Sequence, residues 1–248
     1  MRISPWISIL ITMVMIARAA AAADVPNHAV VLLYHHVDTE TPAATSLSPA
    51  LFAEHLDYLD RHGYRVEPLA ALVDSLRNGR SIPDRSVALT FDDGYRSVYS
   101  EAFPRLKELG WPFTVFVCPA DIDAHRGPVL TWDQLREMAS AGATVANHGQ
   151  FHRHLQRRGE AETDQAWRAR TRRELQEAQD RITEEIGQAP ALFAYPYGEF
   201  SPDLQGLIKE LGWTAFGQQS GPLGEAGDWT LLPRFPMAGP YAALETFG

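Results

Sequence analysis

The chain has 248 residues, enough for one large domain or two small ones, and no internal repeat or low-complexity linker divides it. Its 45% hydrophobic and 21% charged residues are those of an ordinary globular protein, and a net charge of −9 argues against binding nucleic acid or an anionic membrane surface. The single cysteine, Cys118, rules out an intrachain disulfide, and its place in an apolar run reads as a small core hydrophobe rather than a nucleophile.

The first segment stands apart. Arg2 precedes an apolar stretch over residues 6–16, and alanines fill 19–23 before Asp24. A basic start, a short apolar region and an Ala-x-Ala exit describe a cleaved secretory signal over residues 1–23. The competing reading is an uncleaved anchor, since a membrane span needs about 20 apolar residues. With cleavage near Ala23 the protein is expected to be exported, periplasmic or secreted, with no stable membrane insertion afterwards.

From residue 30 onward, short apolar runs alternate with helical patterns. The runs occupy 30–33, 87–90, 113–117, 143–146, 193–195, 214–216 and 231–235. Unbroken hydrophobicity suits strands buried on both faces of a parallel sheet. Helices are expected over 51–62 and over 96–109, the latter stopped by Gly110. A third opens on the capping box Thr131-Trp-Asp-Gln134 and closes near Gly142, and the longest covers 161–186. Such alternation predicts an α/β fold, either a barrel or an open sheet.

The chemistry-bearing residues follow these runs. His35 and His36 come after the first, Asp92 and Asp93 after the second, His148 and His152 after the fourth, and Pro196-Tyr197-Gly198 after the fifth. Parallel α/β folds assemble their sites from loops past the C-terminal ends of strands, so these residues are expected on one rim. Two imidazoles at i, i+4 plus one carboxylate give three ligands and leave a position for water, as catalytic zinc requires. A second, unligated carboxylate can act as base toward that water. Either Asp92 or Asp93 can fill either carboxylate role, and Gly94 permits the sharp exit.

Three ordered motifs, Thr90-Phe-Asp-Asp-Gly-Tyr95, His148-Gly-Gln-Phe-His152 and Phe193-Ala-Tyr-Pro-Tyr-Gly198, resemble those of polysaccharide deacetylases, the NodB-homology group or carbohydrate esterase family 4. Leu33-Tyr-His-His-Val37 and Leu130-Thr-Trp-Asp-Gln134 add to the likeness, which runs from about residue 30 to 237. The resemblance implies a distorted (β/α) barrel of about seven strands forming a catalytic domain over 24–248. It also implies metal-dependent removal of acetyl groups from N-acetylated sugars, with a polysaccharide or oligosaccharide as substrate. Carried over by position, Asp92 is the base, Asp93, His148 and His152 hold a divalent ion, and the Tyr197 N–H supports the oxyanion. Zinc is the expected ion, with nickel, cobalt or iron as alternatives on the same ligands.

The likeness has gaps. Ala194 stands where the family's third motif carries an arginine; Arg234 is the candidate replacement, against a plain surface salt bridge. No histidine follows His154, so the family's late general acid has no counterpart; His35, His36, His154 or the carboxylic product remain as proton donors. Trp229, after Asp228, either walls the acetyl pocket or simply packs. These departures resemble the branch acting on exported poly-N-acetylglucosamine. Alternatives are an acetyl-xylan esterase, a peptidoglycan deacetylase or an amidase of the same fold, or a non-catalytic carbohydrate-binding protein.

Overall fold

A curled parallel sheet holds the molecule together, in a computed structural model that describes residues 27–247. Its strands in chain order are β1 (His28–Tyr34), then β2 (His36–Val37) and β3 (Ser46–Leu47), which pair only with each other, and the short β4 (Arg65–Val66). The main strands continue as β5 (Ser86–Phe91), β6 (Thr114–Val117), β7 (Thr144–Asn147), β8 (Leu192–Ala194) and β9 (Thr214–Phe216). The sheet order is β1-β5-β6-β7-β8-β9, every neighbouring pair parallel, with β4 also beside β5. At the open side β10 (Leu223–Gly224) lies antiparallel to the start of β1.

The remaining gap, between β9 and β1, is bridged by the segment that follows β10. Leu232 pairs in parallel with Phe216 of β9, and β11 (Phe235–Pro236) pairs in parallel with Leu32 and Leu33 of β1. The result is the expected distorted barrel with about seven strands. Residues 231–235 are not the continuous strand that their hydrophobicity predicts. Pro233 has no N–H for a ladder, and the Arg234 N–H donates to the Gln219 carbonyl instead.

Hydrophobicity is unbroken because both strand faces are buried and alternate between two clusters. Leu32, Leu89, Phe91, Val115, Val117 and Val145 face the helices. Val31, Ala88, Phe116, Ala146, Ala194 and Phe216 fill the other face, inside the barrel, where small alanines sit among large rings. Helices α1 (Pro49–Arg61), α3 (Phe103–Leu109), α5 (Trp132–Ser140) and α6 (Asp164–Ile186) match the sequence expectation in place. The capping box at Thr131 is formed in both directions. Thr163 caps α6, so that helix starts three residues later than its apolar pattern. One wide turn over Val98–Ala102 interrupts the helix that leads into α3, just before Pro104, whose missing N–H cannot close a normal turn.

Four further helices were not among the expected elements. In α2 (Leu69–Arg77) the residues Leu69, Leu72, Val73 and Leu76 are buried; in α7 (Pro202–Leu211), capped by Ser201, Leu204, Leu207 and Ile208 are. Both are about ten residues long, near the lower limit at which a 3.6-residue period stands out from chance. The others are the single turns α4 (Pro119–Asp123) and α8 (Leu244–Phe247). Among the described residues no helix is long and apolar enough to cross a membrane. The signal segment over 1–23 lies outside the described residues.

Candidate metal and acid–base site

Period two along β5 explains how two adjacent aspartates part company. Ala88 and Thr90 face the barrel interior, and Asp92 follows them inward, its N–H still donating to Tyr34 of β1 at 2.9 Å. Asp93 departs from the strand with φ 69°, and Gly94 follows at φ 66°. This pair of left-handed residues turns the Asp93 carboxylate along the rim. Gly94 is needed twice over, since a Cβ there would stand 3.1 Å from Val117 Cγ1.

Asp92 is completely buried and meets Arg234, also completely buried, in a two-pronged ion pair. The Arg234 Nη1 and Nη2 donate to the two Asp92 oxygens at 2.7 Å each. The same guanidinium donates through Nε to the Gly217 carbonyl at 2.9 Å and from Nη1 to Thr90 Oγ1 at 3.3 Å, and it lies 5.3 Å from the Phe116 ring centroid. Burial pushes the Asp92 pKa up, but the charge and hydrogen bonds of Arg234 pull it down further, leaving it below the ordinary carboxylate value. Ala194 belongs to the same interior cluster as Phe116. The guanidinium that a side chain at 194 does not supply therefore arrives from the segment that closes the barrel.

His148 and His152 approach Asp93 from the loop after β7. Their Nε2 atoms lie 3.2 and 3.1 Å from Asp93 Oδ1. His148 is buried, and its Nδ1 donates to the Ala194 carbonyl at 2.8 Å, so its Nε2 lone pair is left facing Asp93. The loop owes its shape to Asn147, whose carboxamide accepts from Gly149 N–H at 2.8 Å and donates to Leu175 and Gln179 on α6. His152 itself sits at φ 50°.

One imidazole nitrogen from each histidine and one carboxylate oxygen all lie within 4.8 Å of one another. Asp93 Oδ1 is buried, yet neither ring nitrogen reaches it in hydrogen-bonding geometry. An orphaned buried oxygen faced by two nitrogen lone pairs fits a divalent cation by its donor chemistry. Burial raises the Asp93 pKa, but contacts with the two histidines hold it well below the usual carboxylate range. Tyr95, whose pKa is pushed up by burial and by the neighbouring Asp93 charge, is a site neighbour that the sequence reading did not single out. Its ring stacks on His36 with centroids 3.5 Å apart. A cavity of about 230 Å³ beside the triad is lined by Asp93, Tyr95, Cys118, Asp121, Arg126 and His152 among others. Cys118 is buried there with its thiol donating to the His148 carbonyl at 3.1 Å, and burial keeps it protonated.

Tyr197 closes the rim at the end of β8, at φ 61° and followed by Gly198 at φ 64°. Its half-exposed ring stands edge-on to His152 at 4.4 Å and stacks on His154 at 4.1 Å. Of the three histidines left as proton donors, His154 is tied to Glu199 at 2.8 Å and His36 to the Tyr95 ring. His35 alone sits within the fields of Asp92, Asp93, Arg234 and His148; burial lowers its pKa and the two aspartates raise it, with burial dominant. Trp229 is not on this rim. It packs at the start of the closing segment, its carbonyl accepting from Ala215 N–H, at the opposite end of the barrel.

Residues 79–216 match the family model described as polysaccharide deacetylase, more than half of the chain. The chain belongs to the polysaccharide deacetylase family. Among curated relatives, the poly-beta-1,6-N-acetyl-D-glucosamine N-deacetylase of Escherichia coli K12 is 27% identical over 252 residues, which cover 86% of this chain and 37% of that protein. The enzyme of the same name from Staphylococcus aureus MRSA252 is 25% identical over 171 residues, covering 67% of this chain and 59% of that one. The chain thus spans less than two thirds of the length of these relatives. Among solved structures, IcaB from Ammonifex degensii superposes with a TM-score of 0.75 at 25% identity, over 87% of this chain and 94% of that one. The Streptococcus pyogenes deacetylase PplD, solved in complex with acetate, gives 0.79 at 22% identity over 89% and 96%, a likeness of fold.

Proposed function

We propose that this protein is an exported, metal-dependent N-deacetylase of an N-acetylglucosamine polysaccharide, with residues 24–248 as its catalytic domain. The observation that carries the reading is the orphaned Asp93 oxygen facing two histidine nitrogens, with a second, separately held carboxylate one residue away. The names of the Escherichia coli and Staphylococcus aureus relatives support the substrate class. The basic, apolar and alanine-rich order of residues 1–23 supports export.

Asp93, His148 and His152 would hold the divalent ion, zinc being the expected one. When bound, such an ion polarises the acetamide carbonyl and makes water acidic enough to attack near neutral pH. Asp92 accepts the proton of the attacking water. Arg234 occupies both of its oxygens from one side and leaves each a further lone pair for that proton. The pairing keeps Asp92 ionised at the price of basicity, so the proton must pass on promptly. The departing amine nitrogen takes up the proton that Asp92 received, with His35, whose pKa burial lowers and which lies within the field of both aspartates, as the proposed relay. The backbone N–H of Tyr197 supports the oxyanion, a contribution of about 3–4 kcal/mol for such donors. The C–N bond breaks, leaving acetate and a glucosamine residue.

Acetate release from N-acetylglucosamine oligomers, with zinc, cobalt or nickel added, tests this in the wild type and Asp92→Asn, with acetyl-xylan as comparison. Metal-stimulated release that Asp92→Asn loses by about 10²-fold or more is expected. Full activity in the variant, or activity untouched by chelator, would sink the mechanism, and faster release from acetyl-xylan would overturn the substrate class.

A further inference from the structure

At the N-terminal end of the strands, opposite the rim of Asp92 and Asp93, lies a second cavity of about 460 Å³. This is within the range of about 300–1,000 Å³ usual for small-molecule sites. Its walls come from α7, from the end of α2 and from the loop leading into the closing segment. Trp229 presents a partly exposed indole, with the Arg77 guanidinium 6.0 Å from the ring. Gln205, Lys209 and Asp228 surround it.

Gly206 points to a ligand independently. It lies inside α7, where glycine is a poor helix former, and its backbone is ordinary helix rather than left-handed. A Cβ there would meet nothing within 4 Å. Neither packing nor conformation calls for glycine, and a side chain at this position would only take up room in the cavity.

The charges select among ligands. Both Asp228 oxygens are already engaged, one by the Thr230 N–H and hydroxyl at 2.9 and 2.7 Å, the other by Gln205 Nε2 at 3.0 Å. Arg77 donates to Thr214 Oγ1 at 3.3 Å, and Lys209 contributes a second positive charge. Two cations against one internally satisfied carboxylate disfavour an amine. An indole face, an amide and positively charged donors suit the C–H face, hydroxyls and acetamide oxygens of a neutral sugar.

We propose that this cavity is a secondary glycan-binding site that holds acetylated, uncharged stretches of the polymer and releases deacetylated, cationic ones. The inference rests on the polysaccharide reading above and deepens it. A chain anchored here raises its own concentration at the rim, an advantage open to long polymers and closed to short oligomers.

The test uses the full chain, with Gly206→Leu to fill the cavity through a good helix former and Trp229→Ala to remove the indole. Calorimetric titration of an N-acetylglucosamine pentamer should give a stoichiometry near two in the wild type and near one in both variants. The glucosamine pentamer should bind the wild-type cavity at least about tenfold more weakly. Both variants should raise the KM for polymeric substrate about tenfold while leaving acetate release from a dimer unchanged. Unchanged stoichiometry and polymer KM in Gly206→Leu would overturn the proposal, as would equal binding of the two pentamers. Titration needs no turnover, so a wild type that releases no acetate refutes the activity while the stoichiometry still decides the site.

Discussion

Arg234→Met is the substitution that most directly tests how the acid–base half of the site is built. The methionine keeps much of the apolar stem over Phe116 but removes every donor to Asp92, Thr90 and Gly217. Asp92 has no solvent exposure, so it is left as a buried charge without a partner. Breaking a buried pair in this way costs about 3–5 kcal/mol. For a chain of this size each kcal/mol moves Tm by about 2–4 °C, so a fall of about 10 °C is expected.

The pH dependence carries the sharper diagnosis. In the wild type the folded Asp92 pKa lies below its unfolded value, so the pair's stability is present above the unfolded pKa of about 3.9. That stability is lost as pH falls through the folded value. Without Arg234, burial dominates and the folded pKa rises above the unfolded one. The folded state then keeps a proton that the unfolded chain gives up, and stability falls as pH rises above about 4. Urea unfolding of Arg234→Met between pH 4.5 and 8 should therefore slope more steeply downward with pH than the wild type. The double variant Asp92→Asn/Arg234→Met should remove that extra slope and recover much of the loss without recovering acetate release. A loss under about 1 kcal/mol with an unchanged slope would refute the claim that this pair is a dry, mutually dependent unit.

Other perturbations address the rest of the structure. Zinc at about a hundredfold over its Kd should stabilise the protein by about 2.7 kcal/mol in thermal unfolding, and Asp93→Asn should abolish the shift; an equal shift in the variant would place the ion elsewhere. Gly94→Ala should destabilise by at least about 1–2 kcal/mol in urea, because the left-handed φ of 66° and the 3.1 Å approach to Val117 both oppose a methyl group. His55 is buried, with Nε2 donating to the Ala242 carbonyl at 2.7 Å and Nδ1 accepting from Tyr34 at 3.2 Å. Its pKa is lowered chiefly by burial, so its stability contribution is present near neutrality and is lost as pH falls below about 6.5. His55→Gln should flatten the stability profile between pH 5 and 7, and an unaltered profile would show that another group governs it.

The main strands β1, β5, β6, β7, β8 and β9 were legible because they are largely buried on both faces, so apolar runs marked them, whereas the two-residue β2, β3, β4 and β10 are too short to show as runs. The closing segment was not, since it passes from β9 to β1 within a few residues and uses Pro233 and Arg234 where a strand would place ladder donors. Arg234 was legible as a candidate only because position 194 lacked an arginine; nothing local to residue 234 says that its guanidinium enters the barrel. Tyr95 closes a motif already quoted and Asn147 lies just before another, yet their placement against Asp93 and α6 depends on tertiary packing. Trp229 shows the reverse failure. An Asp-Trp pair near the end of the chain looks like a site element, but a residue that opens the closing segment must lie at the foot of the barrel, while Arg234, five residues on, reaches the rim.

The backbone explains why the rim resists reading from spacing alone. Asp93 and Gly94, at φ 69° and 66°, repeat in Tyr197 and Gly198, at 61° and 64°. Two consecutive left-handed residues are the requirement of a tight primed turn, which Asp-Gly meets readily and Tyr-Gly does not. A left-handed tyrosine, and a left-handed histidine at 152, each carry strain of about 1–3 kcal/mol. The flanking sheet can bear that strain because β5 and β8 are anchored by ladders on both sides. The return is positional: in both places the turn takes a residue that the strand's period would have directed along the sheet and brings it to the rim. The i, i+4 spacing of His148 and His152 is compatible with one helical face or with a tight loop, and the two belong to a loop in which a positive φ at His152 does what helical periodicity would otherwise do. Side-chain convergence here is made by turns at strand ends, and the residue types that form those turns are also the ones with chemistry to perform.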